Sequence, residues 1–132
     1  MFSHVTLGVS GIDRALVFYR PLMAALGWEE RWAPQATREP WAGFVMPGTA
    51  WPQFVITEPV DGKAPSPGNG TMVAFAVDSR GAVDKAHALA LELGGSDEGT
   101  PGLRPQYHAD YYGAYFRDPD GNKLCVVCHR AA

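Results

Sequence analysis

The sequence predicts an α+β fold built from two copies of one β-α-β-β-β unit. A strand followed by a helix that ends in Leu-Gly occurs twice, and HVTLGVS in the first copy corresponds to MVAFAVD in the second. Short strand candidates follow each helix, and a segment rich in Pro and Gly separates the copies. We therefore expect a single domain over residues 1–132, with modules 1–58 and 71–130 joined by a linker, 59–70.

The first module opens with a strand and a helix. In Phe2–Val9 an apolar face alternates with His4, Thr6 and Gly8, which is typical of a half-buried strand. Apolar residues at spacings of three and four over residues 12–26 predict an amphipathic helix. Ser10 and Asp13 predict a capping box, and Pro21 predicts a kink or a split near Arg20. Three short strands are predicted next: Trp28–Trp32, Trp41–Met46 and Gln53–Thr57.

The second module repeats this order and ends in a hairpin. Thr71–Asp78 alternates as a strand, Ser79 is the expected N-cap, and Ala82–Leu93 has a helical apolar stripe. Residues 96–106 predict a weak strand at best. In the hairpin, Pro and Gly of Asp118-Pro119-Asp120-Gly121 set the backbone angles of the turn. The strands that it joins are predicted at Tyr112–Arg117 and Asn122–Cys128.

Composition excludes several classes of function. The chain has a net charge of −3, and its 11 Lys and Arg are scattered, so no basic patch indicates nucleic-acid binding. No apolar run approaches the about 20 residues of a membrane span, and the N-terminus lacks a signal-peptide pattern. Two Cys do not form a disulfide framework, so we expect a reducing, cytoplasmic location.

Three motifs carry a family resemblance: HVTLGV, DRALVFY and FRDPDGNKL with the strand that follows it. With them the chain resembles the glyoxalase / bleomycin-resistance / extradiol-dioxygenase superfamily, which has the vicinal oxygen chelate fold. The resemblance implies that eight strands curl as a mixed sheet around a cavity, with the helices outside. It also implies a homodimer, a small-molecule ligand and, in metal-using members, ligands on the first and last strands of each module.

Carried onto this chain, those ligand positions are His4, Val55, Met72 and Cys125. Only His4 has a residue type that the superfamily uses for its metal. Val55 cannot ligate, Met72 offers a soft thioether, and Cys125 stands where a carboxylate is expected. We therefore expect no divalent metal cofactor, and His4 is the candidate ligand if one is bound.

The alternation places His4, Met72 and Cys125 opposite the helix-facing side of their strands. A three-residue turn with a Gly bulge would bring Tyr115 across from Cys125. His4 is a candidate general acid or base, a metal ligand or a cavity-wall residue, and Tyr115 is a second candidate acid or base. Cys125 is either a reactive thiol or an inert buried one. With Cys128 it spells C-x-x-C, but residues three apart on a strand face opposite ways, which argues against a zinc or redox pair.

Residues before the hairpin complete the candidate site. His108, Tyr111 and Tyr112 either line the mouth of the cavity or cover the core. Arg38 and Arg104 are candidates for binding a ligand carboxylate, with surface salt bridges as the alternative. The predicted ligand-binding set is His4, Met72, His108, Tyr112, Tyr115 and Cys125.

Two functions from different classes fit these residues. The first is a glyoxalase/bleomycin resistance-like module that binds a small molecule in its cavity without the usual divalent metal. The alternative is a metal-dependent lyase, isomerase or dioxygenase of the same superfamily, similar to lactoylglutathione lyase. The many chemistries of this fold leave open whether the chain is an enzyme.

Overall fold

A computed structural model of the chain describes all 132 residues. It divides into two compact units, which we call module 1 (Met1–Pro67) and module 2 (Gly68–Ala132). Residues 59–70, the predicted linker, contain no helix or strand and are shared between the ends of the two modules. None of the helices combines the length and apolar character that a membrane crossing requires.

Module 1 contains one long helix and a four-stranded sheet. The sheet order is β1-β4-β3-β2, with β1 parallel to β4 and the other pairs antiparallel. In chain order the elements are β1 (His4–Gly8), α1 (Ile12–Ala25), β2 (Glu29–Trp32), α2 (Pro34–Thr37), β3 (Trp41–Val45) and β4 (Gln53–Thr57).

Module 2 repeats this topology. Its sheet order is β5-β8-β7-β6, and again only the first and last strands pair in parallel. The predicted α+β fold of two β-α-β-β-β units is therefore confirmed, with the eight strands in two four-stranded sheets that are not closed. The elements are β5 (Val73–Ala76), α3 (Arg80–Glu92), β6 (Ser96–Leu103), β7 (Tyr112–Arg117) and β8 (Lys123–Cys128).

The strand registers show that the repeat extends to single residues. Thr6 pairs with Val55 in module 1, and Ala74 pairs with Cys125 in module 2. The neighbouring pairs keep the same offsets, so the predicted correspondence of Val55 with Cys125 is confirmed. The same registers make Gly43 the counterpart of Tyr115, since each pairs with the corresponding residue of the last strand.

At one level of the two sheets, each module pairs an aromatic residue with a glycine, but the aromatic residue lies on a different strand in each module. In module 1, Trp32 on β2 pairs with Gly43, and a Cβ at Gly43 would be 2.7 Å from the Trp32 ring. In module 2, Gly99 on β6 pairs with Tyr115, and a Cβ at Gly99 would be 2.9 Å from the Tyr115 ring. Each module therefore has one ring over one glycine in this row of paired residues. The ring is on the edge strand β2 in module 1 and on the inner strand β7 in module 2.

The core of each module lies between its long helix and one face of its sheet. In module 1, Tyr19 of α1 packs against Phe54, with ring centroids 5.6 Å apart. In module 2, Val83, Ala86 and Ala90 of α3 are buried. His87, on the same helix, bonds Asp97 of β6 (2.9 Å), and this hydrogen bond lowers the pKa of Asp97. Because these apolar side chains bury one face of each sheet against a helix, the opposite face is the one available to a ligand.

The structure corrects the predicted start and middle of α1. The Ser10–Asp13 capping box is wrong: Gly11 is the N-cap and makes no side-chain hydrogen bond, while Ser10 Oγ accepts from Arg14. The helix does not split at Pro21. Leu22 and Met23 beyond it are fully buried, and their packing holds the next turn in place despite the missing N–H.

Two further elements differ from the sequence prediction. Residues 96–106 were expected to give a weak strand at best, whereas β6 spans eight residues. It pairs with β7 through register shifts around Gly99, so bulges absorb the residues that disfavour regular pairing. The short helix α2 was not predicted. Ser79 is confirmed as the N-cap of α3, because its side chain accepts a hydrogen bond from Ala82 N.

Glu58 caps α1 in place of the predicted capping box. Its Oε2 accepts a hydrogen bond from the backbone N–H of Ile12 (3.1 Å). We expect Glu58→Ala to lower the free energy of unfolding by about 1 kcal/mol, through loss of the acceptor and of a negative charge at the helix N-terminus. Urea denaturation measures this, with Glu58→Gln as an intermediate case and exposed Glu39→Ala as a control expected within about 0.5 kcal/mol of the wild type. Equal losses in the two alanine variants would contradict the capping role.

Candidate functional site

A cavity of about 640 Å³ opens on module 2, within the range of about 300–1,000 Å³ that small-molecule sites occupy. Aromatic, imidazole and cationic side chains dominate its lining. The face of the sheet that carries Tyr115 contributes the floor, and the loops before β5 and β7 contribute the walls. The lining residues are Asn69, Gly70, Thr71, Met72, Tyr107, His108, Tyr111, Tyr115, Arg117, Lys123 and His129.

The β7–β8 hairpin positions the floor. Tyr115 pairs directly with Cys125, as the sequence predicted from the turn type. Asp118 holds the turn: its Oδ1 accepts from the backbone N–H groups of Asp120 and Asn122, both at 2.9 Å. Gly121 has a φ of 93°, which only glycine adopts without strain. The turn thus fixes the register that brings the Tyr115 ring and the Cys125 thiol to the same face.

Tyr111 covers this floor from the loop before β7. Its ring lies over Gly113, where a Cβ would come within 2.8 Å of Tyr111 Cε1. The Tyr111 hydroxyl is 2.9 Å from the Tyr115 hydroxyl and 3.6 Å from Cys125 Sγ. Gly113 therefore leaves the space that lets two hydroxyls and a thiol meet in one hydrogen-bonded network, which we call the Tyr-Tyr-Cys network (Tyr111, Tyr115, Cys125).

Desolvation sets the protonation of this network. Burial raises the pKa of the Cys125 thiol, and the tyrosine hydroxyls and the charges of Arg104 and Lys123 oppose that rise only in part. Burial likewise raises the pKa values of Tyr111 and Tyr115. At neutral pH all three groups are therefore protonated. One hydroxyl proton is used in the Tyr111–Tyr115 hydrogen bond and the other can be donated to a ligand. The protonated thiol is a poor nucleophile.

A group of rings borders the network. Tyr107, which is 62% exposed, lies with its centroid 4.9 Å from that of Tyr111. His108 and His129 stack at 5.1 Å, with 2.9 Å between His108 Nε2 and His129 Nδ1. Both imidazoles also contact the Tyr111 ring edge-on. This arrangement offers flat apolar surface beside polar groups.

The structure brings together part of the predicted set. Met72, His108 and Tyr115 line the cavity, and Cys125 is buried beneath it. Tyr112 lies on the opposite side of the sheet, where its hydroxyl donates to Asp84 of α3 (2.7 Å). His4 is exposed in module 1, with Nδ1 2.9 Å from Ser3 Oγ.

Three cavity residues were not predicted from the sequence: Lys123, Arg117 and Tyr107. Lys123 precedes Cys125 by two positions, so the alternation of β8 already placed it on the same face. Arg117 pairs directly with Lys123 across the hairpin, and the same turn prediction implied that pairing. Tyr107 lies in a loop, where neither periodicity nor register applies.

The donor set does not fit the divalent metal that the superfamily resemblance implies. In module 1, His4 is the one position with a suitable donor, and it is exposed with Nδ1 2.9 Å from Ser3 Oγ, while Val55 has no donor atom. In module 2, Met72 is a thioether and Cys125 is a buried thiol within the Tyr-Tyr-Cys network. Neither module contains a group of three or more His, Cys, Asp or Glu side chains arranged for a metal. We therefore assign no chemical step to a metal ion.

Cys125 and Cys128 are both free and buried. Cys128 Sγ lies 3.4 Å from the backbone nitrogen of Arg130, whereas Cys125 Sγ contacts Tyr111. The strand alternation therefore separates the two thiols, as predicted, and C-x-x-C does not form a paired site.

The raised pKa of Cys125 predicts a loss of stability at high pH. Its ordinary value is 9.0, so between that pH and the folded-state pKa the unfolded chain releases a proton that the folded chain retains. The free energy of unfolding should then fall with rising pH, by at most about 1.4 kcal/mol per unit for this one proton. Urea denaturation at several pH values checks this. Cys125→Ala and Cys125→Ser both lack the titrating thiol, so both should show a shallower slope of the free energy of unfolding against pH. A wild-type slope in both variants would contradict this prediction.

Comparison with known proteins agrees with the fold. Residues 1–126 match the family described as the Glyoxalase/Bleomycin resistance protein/Dioxygenase superfamily. The chain is 30% identical over 124 residues to "Metallothiol transferase FosB" of Shouchella clausii, covering 94% of this chain and 77% of that protein.

Solved structures give the same result. A crystal structure of a glyoxalase/bleomycin resistance protein from Albidiferax ferrireducens superimposes with a TM-score of 0.81 at 35% identity, covering 97% of this chain and 98% of that one. A glyoxalase/bleomycin resistance protein/dioxygenase family enzyme from Burkholderia phytofirmans gives a TM-score of 0.71 at 20% identity, with 97% and 98% covered. At that lower identity the likeness concerns the fold alone.

Proposed function

Since the chain belongs to the glyoxalase/bleomycin resistance protein/dioxygenase superfamily, we propose that it binds a small organic molecule in the cavity of module 2 without a divalent metal. The observation that carries this proposal is the Tyr-Tyr-Cys network, with Tyr111 and Tyr115 directed into a cavity of about 640 Å³. Two protonated hydroxyls beside exposed rings are what an orienting site for a partly polar ligand needs. A homodimer and a cytoplasmic location remain predictions from the resemblance and the composition.

A thermal-shift screen tests this proposal. A ligand that binds only the folded chain must raise the unfolding midpoint, so we would screen metabolites, glutathione adducts and bleomycin-type antibiotics. Hits are then localised by titration of Tyr115→Phe and Tyr111→Phe. Each change removes one hydroxyl and should weaken binding about 5- to 10-fold.

Tyr112→Phe is the matched comparison, because it removes a neighbouring hydroxyl that bonds Asp84 on the other side of the sheet. Affinity for a hit should be unchanged in this variant. Equal weakening in Tyr112→Phe and Tyr115→Phe would contradict the assignment of the site. A screen without any stabilising compound would count against a binding function.

A second candidate function is a metal-dependent enzyme of the same superfamily. The observation that favours it is the 30% identity to a protein named metallothiol transferase. His4 is then the residue expected to ligate. Metal analysis of protein purified without chelator decides between the candidates: a stoichiometric divalent metal that is lost in His4→Ala but retained in His108→Ala would overturn the metal-free proposal.

A further inference from the structure

The cavity face of module 2 carries positive charge that no carboxylate neutralises. The chain has 14 Asp and Glu against 11 Lys and Arg, so acidic partners are not scarce. Arg117 forms an ion pair with Glu98 at the edge of the face. Lys123, which lies directly opposite Arg117 on β8, forms no ion pair within the chain, and neither does Arg104. Two half-buried cations are therefore left unpaired in a protein of net negative charge.

Both unpaired cations lie against the same ring. Arg104 Cζ is 5.5 Å from the centroid of Tyr115, and Lys123 Nζ is 5.6 Å from it. Such cation–π contacts offset part of the repulsion between the two cations, but they do not neutralise either charge. The charges therefore converge on Tyr115, on the floor of the cavity.

Two glycines of β6 leave space for the side chain of Arg104. The side chain runs back across the strand, and Nη2 donates to the carbonyl of Thr100 (2.8 Å). A Cβ at Gly102 would lie 3.1 Å from Nη1, and one at Gly99 would lie 3.3 Å from Nη2. The two glycines therefore leave room for the guanidinium beside the Tyr115 ring.

Arg117 lies directly opposite Lys123, but its charge is compensated by Glu98, so Lys123 is the cation of this strand pair that remains available to a ligand. Partial burial reduces solvent screening, so a ligand of negative charge would gain more here than at an open surface. The hydrogen-bonded hydroxyl pair of Tyr111 and Tyr115 adds one neutral donor beside the cations. The rings of Tyr107 and His108 supply flat surface a short distance away.

We propose that the ligand of this cavity is an aromatic carboxylate, with its carboxylate at Lys123 and Tyr115 and its ring against Tyr107 and Tyr111. Arg104 acts through its field and through the position of Tyr115. The inference rests on the proposed function, since it names the ligand class of the same cavity.

The test compares an acid with its neutral analogue. We would titrate the chain with sodium 2-naphthoate and with 2-naphthamide, which share ring and shape but differ in charge, and follow binding by calorimetry. The acid should bind at least about tenfold more tightly, the difference expected for a charge-assisted hydrogen bond over a neutral one. Added salt should weaken the binding of the acid and leave the binding of the amide unchanged.

Variants of Lys123 locate the charge effect. Lys123→Gln should lose about tenfold in affinity for the acid and nothing for the amide, and Lys123→Arg should restore binding of the acid. Lys85→Gln, an exposed position on α3, makes the same change in net charge and should bind the acid like the wild type. Since Lys123 is on the sheet surface, circular dichroism and the unfolding midpoint confirm that each variant folds.

The outcomes separate this inference from the proposed function. If the amide binds as tightly as the acid and Tyr115→Phe weakens both, the cavity binds ligands and the anion inference is overturned. An equal loss in Lys85→Gln and Lys123→Gln also overturns it, because the effect is then one of net charge. If neither compound binds, the anion inference is overturned, and if the wider screen also gives no ligand sensitive to Tyr115→Phe, both proposals fall.

Discussion

Asp118→Ala should lower the free energy of unfolding by about 3 kcal/mol, the sum expected when several hydrogen bonds to a buried charged acceptor are lost. Asp118 is 3% exposed, and its carboxylate accepts from the backbone of Asp120 and from both the backbone and the side-chain amide of Asn122. Alanine leaves these donors without that acceptor in a buried turn. Chemical denaturation monitored by circular dichroism measures the loss.

Asp61 provides the matched control for this change. Its carboxylate also accepts from a backbone N–H, that of Lys63 (2.9 Å), but in an exposed turn where water can replace the lost acceptor. Asp61→Ala should therefore cost less than about 1 kcal/mol. Asp118→Asn, which keeps an oxygen for the backbone donors, should fall between the two. Equal losses at Asp61 and Asp118 would show that the buried turn is not the source of stability assigned to it.

Gly113→Ala should open the Tyr-Tyr-Cys network. A Cβ at this position would be 2.8 Å from the Tyr111 ring, closer than van der Waals contact allows, so the ring must move. Its hydroxyl then leaves Tyr115 and Cys125, and the thiol loses its cover. In a Cys128→Ala background, reaction of Cys125 with a disulfide reagent should accelerate at least about tenfold, and ligand affinity should fall by about as much.

Gly81→Ala is the control for a glycine change in the same module. Gly81 lies in α3, where an added Cβ meets only Ser79 Oγ at 4.0 Å, and alanine favours a helix over glycine by about 1 kcal/mol. Labelling of Cys125 should not change in this variant. A Gly113→Ala protein that labels at the wild-type rate would mean that Tyr111 does not shield the thiol.

Register and alternation explain what the sequence could predict. The correspondence of Val55 with Cys125, and of Tyr115 with its partner across the hairpin, follows from apolar periodicity and from a turn whose Pro and Gly fix its length. These are local rules, and they hold because one face of each sheet is buried against a helix. The N-cap at Ser79 is local in the same sense.

The remaining features depend on contacts between distant parts of the chain. Glu58 caps α1 from 46 positions away in the sequence, and no spacing rule predicts such a distant partner. Tyr111 lies outside the strand pattern, and its role follows from the absence of a side chain at Gly113. The strand β6 forms because β7 offers an edge, even though its own residues disfavour a strand.

The row that contains Trp32 and Gly43 in one module, and Gly99 and Tyr115 in the other, has a consequence for protein engineering. Since each module accommodates one ring over one glycine, changing either partner alone creates an overlap or a void. Substitutions at Gly99 and Tyr115 should therefore be strongly non-additive, with the double exchange less costly than the sum of its single steps. Directed evolution that accepts only single substitutions with improved stability would therefore not convert the Gly99–Tyr115 arrangement into one with the ring on β6.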